Sequence, residues 1–152
     1  MIEEGRPAPD FELKSDSGET VKLSDFRGRP VVVYFYPKDD TPGCTTEACE
    51  FRDAYDVFRE RDAEVLGVSP DDIASHEKFR SKYGLPFTLL ADPDHKVAEA
   101  YGVWGKRSYM GREYMGINRS TFVIDREGKI ARAMIGIKPA GHASDVLEAL
   151  PA

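Results

Sequence analysis

Hydrophobic residues follow two different periods along this chain, and the periods change from segment to segment. Val31–Tyr36 is an unbroken run of β-branched and aromatic residues, which is typical of a strand buried on both faces of a sheet. From Cys44 to Arg61 the apolar residues recur every three or four positions instead, which predicts a helix with one apolar stripe. Strands that alternate with helices indicate an α/β sandwich around a central sheet.

The same patterns predict elements on both sides of this strand and helix. Asp10–Leu13 and Thr20–Leu23 alternate apolar and polar residues around a Ser-Asp-Ser-Gly turn, which predicts an N-terminal β-hairpin. Thr121–Ile124 and Ile130–Ile135 predict a second hairpin. The remaining predicted elements are strands at Glu64–Ser69 and Phe87–Ala91, a helix from Asp71 to Gly84, a short helix at His95–Tyr101 and a last helix at Ala143–Leu150.

The order of these elements predicts a mixed sheet that is parallel in the middle and antiparallel at the hairpin end, flanked by helices. The segment from Trp104 to Asn118 contains three glycines and no clear period, so we predict a long loop near the functional site. A chain of 152 residues is long enough for one such domain, and we expect residues 1–152 to form it.

Charge and hydropathy exclude several classes of function. The formal net charge of −6 argues against a nucleic-acid-binding protein, which would normally present a basic face. The longest apolar run, Val31–Phe35, is far too short to cross a membrane. The first residues lack the basic flank and apolar centre of a signal peptide, so we expect a cytoplasmic protein. Nothing in the sequence requires an oligomer, and a monomer is the default expectation.

The chain contains two cysteines, Cys44 and Cys49, which lie five residues apart. A secreted disulfide scaffold would carry more cysteines, spread along the chain. The histidines His76, His95 and His142 are too scattered to complete a zinc site, and we expect no metal or organic cofactor. His76 lies on an apolar helical stripe, which is typical of a packed core histidine. The close cysteine pair indicates either redox chemistry or two buried small residues.

The segment Tyr36–Cys44 places a thiol in the first turn of a helix, directly after a buried strand. Free backbone N–H groups and the positive end of the helix dipole favour a thiolate over a thiol at that position. A thiolate is the nucleophile that peroxide reduction requires, and the same N–H groups can hold the oxygen that becomes negative as the O–O bond breaks. Thr41 is available as a helix cap, and it can also offer its hydroxyl to the thiolate or to the peroxide.

Pro37, Thr41 and Cys44 match the motif Pro-x-x-x-Thr/Ser-x-x-Cys, and through it the chain resembles the peroxiredoxin family. Gly5–Phe11 is similar to the opening segment of that family. Arg119, within Arg-Ser-Thr-Phe-Val-Ile-Asp, is similar to the arginine that family members hold against the cysteine. The resemblance covers essentially the whole chain and implies a thioredoxin-like fold.

Within the family, the run Cys44-Thr-Thr-Glu-Ala-Cys49 is similar to the peroxiredoxin Q subgroup, also called bacterioferritin comigratory protein. The C-terminal segment contains no cysteine, which excludes the subgroup that resolves through a C-terminal arm. The resemblance implies a thiol-specific peroxidase that reduces hydrogen peroxide and organic hydroperoxides. It implies that Cys44 is the peroxidatic cysteine and becomes a sulfenic acid, and that the peroxide is bound by Thr41, Gly43, Cys44 and Arg119. Pro37 would shield the sulfur from water, and Glu47 would be a supporting residue of the site. Cys49 would resolve the sulfenic acid by forming a Cys44–Cys49 disulfide, which thioredoxin or a similar dithiol reduces.

Helix geometry sets a condition on that disulfide. Five residues along an α-helix separate two Cα atoms by ~8.5 Å, whereas a disulfide tolerates about 7 Å at most. If Cys49 resolves the Cys44 sulfenic acid, the first turns of the helix must unwind in each cycle. The weak helix propensity of Thr45 and Thr46 is compatible with that unwinding.

Three alternatives stay open at the level of sequence. Cys49 could be inert, which would leave a one-cysteine peroxidase resolved by an external thiol. A dithiol–disulfide oxidoreductase on the same fold is a second alternative, although the chain lacks the Cys-x-x-Cys motif. The third is a thioredoxin-fold binding module whose cysteines are not catalytic, and the presence of Thr41 and Arg119 argues against it.

Overall fold

The computed structural model describes residues 2–151. Seven of the strands in this part of the chain form one mixed sheet. The strands are β1 (Glu12–Ser15), β2 (Thr20–Lys22), β3 (Val31–Phe35), β4 (Glu64–Ser69), β5 (Thr88–Ala91), β6 (Trp104–Tyr109), β7 (Arg112–Ile117), β8 (Ser120–Ile124) and β9 (Ile130–Ile135). The helices are α1 (Pro42–Glu60), α2 (Ile73–Tyr83), α3 (Lys96–Ala100) and α4 (His142–Ala149), with a 3₁₀ turn at Leu23–Phe26.

The strand order in the sheet is β2-β1-β5-β4-β3-β8-β9. β4 pairs in parallel with both β3 and β5, whereas β8 runs antiparallel to β3 and β9. β1 and β2 form the predicted N-terminal hairpin and pair antiparallel at the other side of the sheet. The predicted mixed sheet, parallel in its middle and antiparallel at the β8–β9 hairpin, is confirmed.

β3 is an interior strand of the sheet, between β4 and β8, and all five of its residues are buried. Val32 and Tyr34 point to a core shared with α1, α2 and α4, together with Tyr36 just beyond the strand. Val31, Val33 and Phe35 point to the other core, which contains residues of α3 and the N-terminal segment. Because successive side chains of a strand alternate between its faces, a strand covered on both faces requires the unbroken apolar run seen in the sequence.

The segment Trp104–Asn118 is a β-hairpin, so the predicted long loop is wrong. β6 and β7 pair antiparallel as a separate two-stranded sheet that turns at Met110 and Gly111. Both turn residues have positive φ, as a tight hairpin turn requires. Tyr109, Met110 and most of their neighbours are exposed, so no side of the hairpin needs the apolar alternation that marks a half-buried strand.

Helix α1 begins at Pro42, two residues before the predicted start, and continues without a break to Glu60. Proline suits the first helical position because its missing N–H would have no partner there. Its buried stripe includes Cys44, Ala48, Phe51 and Phe58, as the sequence period predicts. None of the helices within residues 2–151 is both long and apolar enough to cross a membrane.

Candidate active site

Pairing between β3 and β8 brings together two segments that are far apart in the sequence. Phe35, the last residue of β3, is the partner of Ser120, the first residue of β8. The chain leaves β3 toward α1 and Cys44, and Arg119 directly precedes β8. The Nη2 atom of Arg119 consequently lies 3.3 Å from the Sγ atom of Cys44. The thiol is almost fully buried, at 1% exposure, so this guanidinium acts on the sulfur with little screening by water.

The start of α1 supplies backbone donors at the same place. The N–H of Thr45 donates to the carbonyl of Thr41, at 2.8 Å. The N–H groups of Gly43 and Cys44 therefore precede the first hydrogen bond of the helix. These donors and the positive end of the helix dipole favour a negative charge on sulfur, and the N–H groups can also donate hydrogen bonds to a negative oxygen beside it.

Glu47 forms a buried ion pair with the same arginine. The Nη1 atom of Arg119 donates to Oε1 of Glu47 at 2.7 Å, and the Glu47 side chain is fully buried. Burial raises the pKa of Glu47 to about 7, even though the positive charge of Arg119 lowers it. Burial would lower the pKa of Arg119, but the negative charges of Cys44 and Glu47 outweigh it and raise that pKa. Arg119 thus connects the thiol to a carboxylate that is close to half-protonated near neutral pH.

Gly43 lies directly against Arg119, and its lack of a side chain allows this close approach. A Cβ atom at Gly43 would lie 3.0 Å from Arg119 Nη2 and 3.3 Å from Cγ of Pro139. Pro139 belongs to the segment after β9, in which Ile137 donates its N–H to the carbonyl of Arg119 at 3.0 Å. Sequence reasoning missed this segment, because no motif marks a turn that packs beside the site.

Thr41 occupies the N-cap position of α1 with extended backbone, but its side chain does not cap the helix. Its hydroxyl donates instead to the carbonyl of Lys38, at 2.8 Å. The prediction of a capping hydroxyl is therefore wrong. Pro37, at the start of the same loop, is exposed. The structure brings Cys44 and Glu47 into contact with Arg119 and places Gly43 beside it. The hydroxyl of Thr41, in contrast, is bonded to the carbonyl of Lys38.

Cys49 is a free thiol, as is Cys44, and is partly exposed. Both cysteines lie in the unbroken helix α1. Five residues of regular helix keep their Cα atoms ~8.5 Å apart, beyond the reach of a disulfide. Any direct bond between the two sulfurs therefore requires a local change in the helix.

The histidines have different surroundings. His76 is fully buried, as predicted for a core residue, and contacts Asp39 and the carbonyl of Leu90. His95 stacks on Trp104. In the described part of the chain, the one group of potential metal ligands is formed by Asp39, Asp71 and His76, whose ligand atoms lie within 4.8 Å of one another. All three side chains already take part in hydrogen bonds within the protein.

A buried thiol at the start of a helix, held against an arginine at the start of an interior strand of a thioredoxin-like sheet, defines a thiol-dependent redox enzyme. The sequence profile of the AhpC/TSA family matches residues 5–133. Peroxiredoxin Bcp of Bacillus subtilis (strain 168) is 55% identical over 149 residues, which cover 98% of this chain and 95% of the relative. Peroxiredoxin Bcp of Escherichia coli (strain K12) is 46% identical and covers 96% of this chain and 94% of its own. The chain therefore belongs to the AhpC/TSA family and is a peroxiredoxin, a class of thiol-dependent peroxidases.

Solved structures agree with this assignment. The bacterioferritin comigratory protein of Xanthomonas campestris, studied for its alkyl peroxide reduction activity, superimposes with a TM-score of 0.90 at 37% identity, covering 97% of this chain and 96% of its own. A Xylella fastidiosa PrxQ mutant superimposes with a TM-score of 0.92 at 35% identity, covering 97% and 94%. The resemblance inferred from the Pro37–Cys44 motif and the expected thioredoxin-like fold are both confirmed.

Proposed function

We propose that this peroxiredoxin reduces hydrogen peroxide and organic hydroperoxides with Cys44 as its nucleophile. The observation that carries the proposal is the 3.3 Å contact between Arg119 Nη2 and the buried sulfur of Cys44, at the N-terminus of α1. A nearby cation and a helix N-terminus both stabilise a thiolate, which is the reactive form of cysteine. The alkyl peroxide reduction studied in the Xanthomonas campestris relative supports organic hydroperoxides as substrates.

In the proposed first step, the Cys44 thiolate attacks the terminal oxygen of the hydroperoxide. A sulfur–oxygen bond forms as the O–O bond breaks, so the sulfur is oxidised to a sulfenic acid. The peroxide is reduced to an alcohol, or to water when the substrate is hydrogen peroxide, after the leaving oxygen takes a proton. Arg119 and the N–H groups of Gly43 and Cys44 are positioned to stabilise the negative charge that develops on oxygen.

The loop before α1 completes the proposed peroxide site. Thr41 would orient the substrate through its hydroxyl oxygen, since the hydroxyl hydrogen is engaged by the carbonyl of Lys38. Pro37 would limit the access of water to the sulfur once a substrate is bound. Glu47 supports the site by holding Arg119 through its buried ion pair.

For the second step we propose that Cys49 attacks the Cys44 sulfenic acid and releases water to form a Cys44–Cys49 disulfide. The first turns of α1 must unwind to bring the sulfurs together. Thioredoxin or a similar dithiol would then reduce the disulfide and restore both thiols. A cytoplasmic location and a monomeric state, expected from the sequence, complete the proposal.

One observation favours a second candidate. Because α1 is continuous from Pro42 to Glu60, the folded helix holds Cys49 out of reach of Cys44. A one-cysteine peroxidase, in which an external thiol reduces the Cys44 sulfenic acid, would need no unwinding. The two candidates share Cys44 and differ only in how the sulfenic acid is resolved.

Cysteine variants test both steps. Peroxide consumption is measured with thioredoxin and its reductase for the wild type, Cys44→Ser and Cys49→Ser. Cys44→Ser is expected to abolish the reaction with peroxide. Cys49→Ser is expected to consume about one equivalent of peroxide per chain and then turn over poorly, because its sulfenic acid has no internal partner.

Different results would contradict different parts of the proposal. Full activity of Cys44→Ser would refute Cys44 as the nucleophile. Normal turnover of Cys49→Ser with thioredoxin would refute the Cys44–Cys49 disulfide and support the one-cysteine mechanism. Mass spectrometry of the wild type after one equivalent of peroxide provides a direct control, since a disulfide lowers the mass by two hydrogens relative to the dithiol.

A further inference from the structure

The loop between β3 and α1 contains a buried carboxylate that the proposed chemistry does not use. The Asp39 side chain is 3% exposed. It accepts hydrogen bonds from the hydroxyl of Tyr36 at 2.5 Å and from the hydroxyl of Ser75 at 2.8 Å, and it contacts Nδ1 of His76 at 2.7 Å. Ser75 and His76 belong to α2, so this one carboxylate joins the loop before α1 to a second helix.

His76 is fixed at both ring nitrogens. Its Nε2 atom lies 2.9 Å from the carbonyl oxygen of Leu90 in β5. Because a carbonyl only accepts hydrogen bonds, Nε2 must carry a hydrogen. Its Nδ1 atom lies 2.7 Å from the Asp39 carboxylate. The ring therefore connects Asp39 rigidly to the central sheet as well as to α2.

The backbone of the same loop is held by further contacts. The N–H of Asp39 donates to the carboxylate of Asp71 at 2.8 Å. Asp40 has a left-handed backbone with φ of 56°, which is unfavourable for a residue with a Cβ atom. Its carboxylate accepts hydrogen bonds from Lys82 and Tyr83 of α2, each at 2.8 Å. A strained backbone conformation persists only where surrounding contacts enforce it.

This anchored Asp39–Asp40 pair lies between the two loop residues that the proposed function assigns to the peroxide site, Pro37 and Thr41. Thr41 is also the N-cap residue of α1, and its carbonyl accepts the first hydrogen bond of the helix. The positions of the Thr41 hydroxyl and of the Gly43 and Cys44 N–H groups therefore depend on how the loop is held. A misplacement of about 1 Å in a site of this kind costs roughly a hundredfold in rate.

We propose that Asp39 and His76 are positioning residues, which set the geometry of the Pro37–Cys44 segment for the attack on peroxide without touching the substrate. The proposal rests on the proposed function of Cys44 and adds two residues to it that neither the motif nor the Arg119 contact identifies. According to this proposal, contacts from α2 to Asp39 influence the reactivity of Cys44 on α1 by holding the loop between them.

Three variants at His76 and Ser75 test the proposal in a Cys49→Ser background, which isolates the first oxidation of Cys44. His76→Leu removes both ring nitrogens, and we expect it to lower the second-order rate constant for hydrogen peroxide by roughly tenfold to a hundredfold. His76→Asn places an amide nitrogen near the position of Nδ1 and is expected to restore most of that loss. Ser75→Ala removes one donor to Asp39 and is expected to give a smaller decrease. The rate constants are measured by competition with a haem peroxidase.

Asp16→Asn is the matched control. Asp16 is also a buried aspartate bonded to α2, through Arg80 at 2.9 and 3.0 Å, but it lies in the β1–β2 turn and not in the loop between β3 and α1. We expect this variant to lose stability without losing Cys44 reactivity. Rates are compared at a temperature at which every variant shows the near-ultraviolet circular dichroism of the folded state.

A second measurement does not depend on peroxide chemistry. Amide hydrogen exchange of residues 38–41 in the reduced protein is expected to accelerate in His76→Leu and to stay unchanged in Asp16→Asn. Wild-type rates in His76→Leu, or equal rate losses in His76→Leu and Asp16→Asn, would overturn the positioning role. A wild type that fails to react with peroxide would refute the proposed function instead, and the exchange result would still report whether Asp39 and His76 hold the loop.

Discussion

Two opposing effects act on the charge of Glu47: burial disfavours the carboxylate, whereas the ion pair with Arg119 favours it. Its pKa of about 7 in the folded protein compares with an ordinary value of 4.5, with burial as the larger cause and Arg119 opposing it. The folded state therefore holds a proton on Glu47 over a pH range in which the unfolded chain has released it. Each unit of pKa corresponds to about 1.4 kcal/mol of free energy.

Replacement of this carboxylate is predicted to change how stability depends on pH. A folded pKa above the unfolded one means that the contribution of Glu47 to stability is present at low pH and is lost as pH rises from about 4.5 to about 7. The wild type is expected to lose about 3 kcal/mol of unfolding free energy relative to Glu47→Gln across that range. Urea unfolding of both proteins at several pH values measures it. A difference that is constant with pH would show that Glu47 titrates normally.

At the scale of elements, the two proposed reaction steps need different states of the first turns of α1. Its intact first turn provides the N–H groups that favour a thiolate at Cys44, while its unwinding is needed for a bond to Cys49. The residues between the cysteines include Thr45 and Thr46, which have weak helix propensity, and Thr46 donates its hydroxyl to the carbonyl of Pro42. In the proposed mechanism, the first turns of α1 must therefore unwind and refold once in each catalytic cycle.

Alanine at both threonines is predicted to slow disulfide formation selectively. Thr45→Ala/Thr46→Ala raises helix propensity by about 1 kcal/mol in total and so stabilises the folded turn, which should slow formation of the Cys44–Cys49 bond roughly fivefold. The first reaction of Cys44 with peroxide should keep its rate. Rapid quenching followed by mass spectrometry separates the two steps.

Val57→Ala is the control for this experiment. Val57 is 45% exposed and β-branched, so alanine also improves helix propensity there, but Val57 lies beyond the turns that we propose to unwind. It should leave disulfide formation unchanged. An equal slowing by Val57→Ala, or no slowing by the double threonine variant, would contradict local unwinding of the first turns.

At the scale of the whole molecule, oxidation is predicted to lower stability. Cys44, Glu47 and Ala48 are buried in the reduced form, and unwinding would remove this packing together with the Arg119 contacts. The disulfide closes a loop of only about six residues, for which the gain from restricting the unfolded chain is small, about 2 kcal/mol. The disulfide form should therefore melt at a lower temperature than the dithiol form. Differential scanning calorimetry with and without dithiothreitol compares them.

Cys49→Ser is the control for the effect of oxidation itself, since it cannot form the internal bond. After treatment with one equivalent of peroxide, the melting temperature of this variant should stay close to that of its reduced form. A disulfide form that melts at a higher temperature than the dithiol form would mean that the two sulfurs are joined without loss of the packing around α1.

The elements that could be predicted from sequence are those whose burial repeats a simple period. β3 is covered on both faces and reads as an unbroken apolar run, and α1 buries one stripe and shows the corresponding helical spacing. The β6–β7 hairpin buries almost none of its side chains, so its sequence lacks a period and predicts a loop instead. Its structure depends on backbone pairing and on the positive φ of Met110 and Gly111, which leave only weak traces in composition.

The sequence alone determined the family, because Pro37, Thr41 and Cys44 are close along the chain and their spacing carries the motif. Arg119 was recognised from its neighbours, but its distance from the sulfur depends on the pairing of β3 with β8 across the sheet. The position of Pro139 beside Gly43 and the hydrogen bond that joins Asp39 to His76 depend in the same way on residues far apart in sequence. Local spacing fixes which groups are available, whereas long-range packing decides which of them touch and how strongly burial changes their charge.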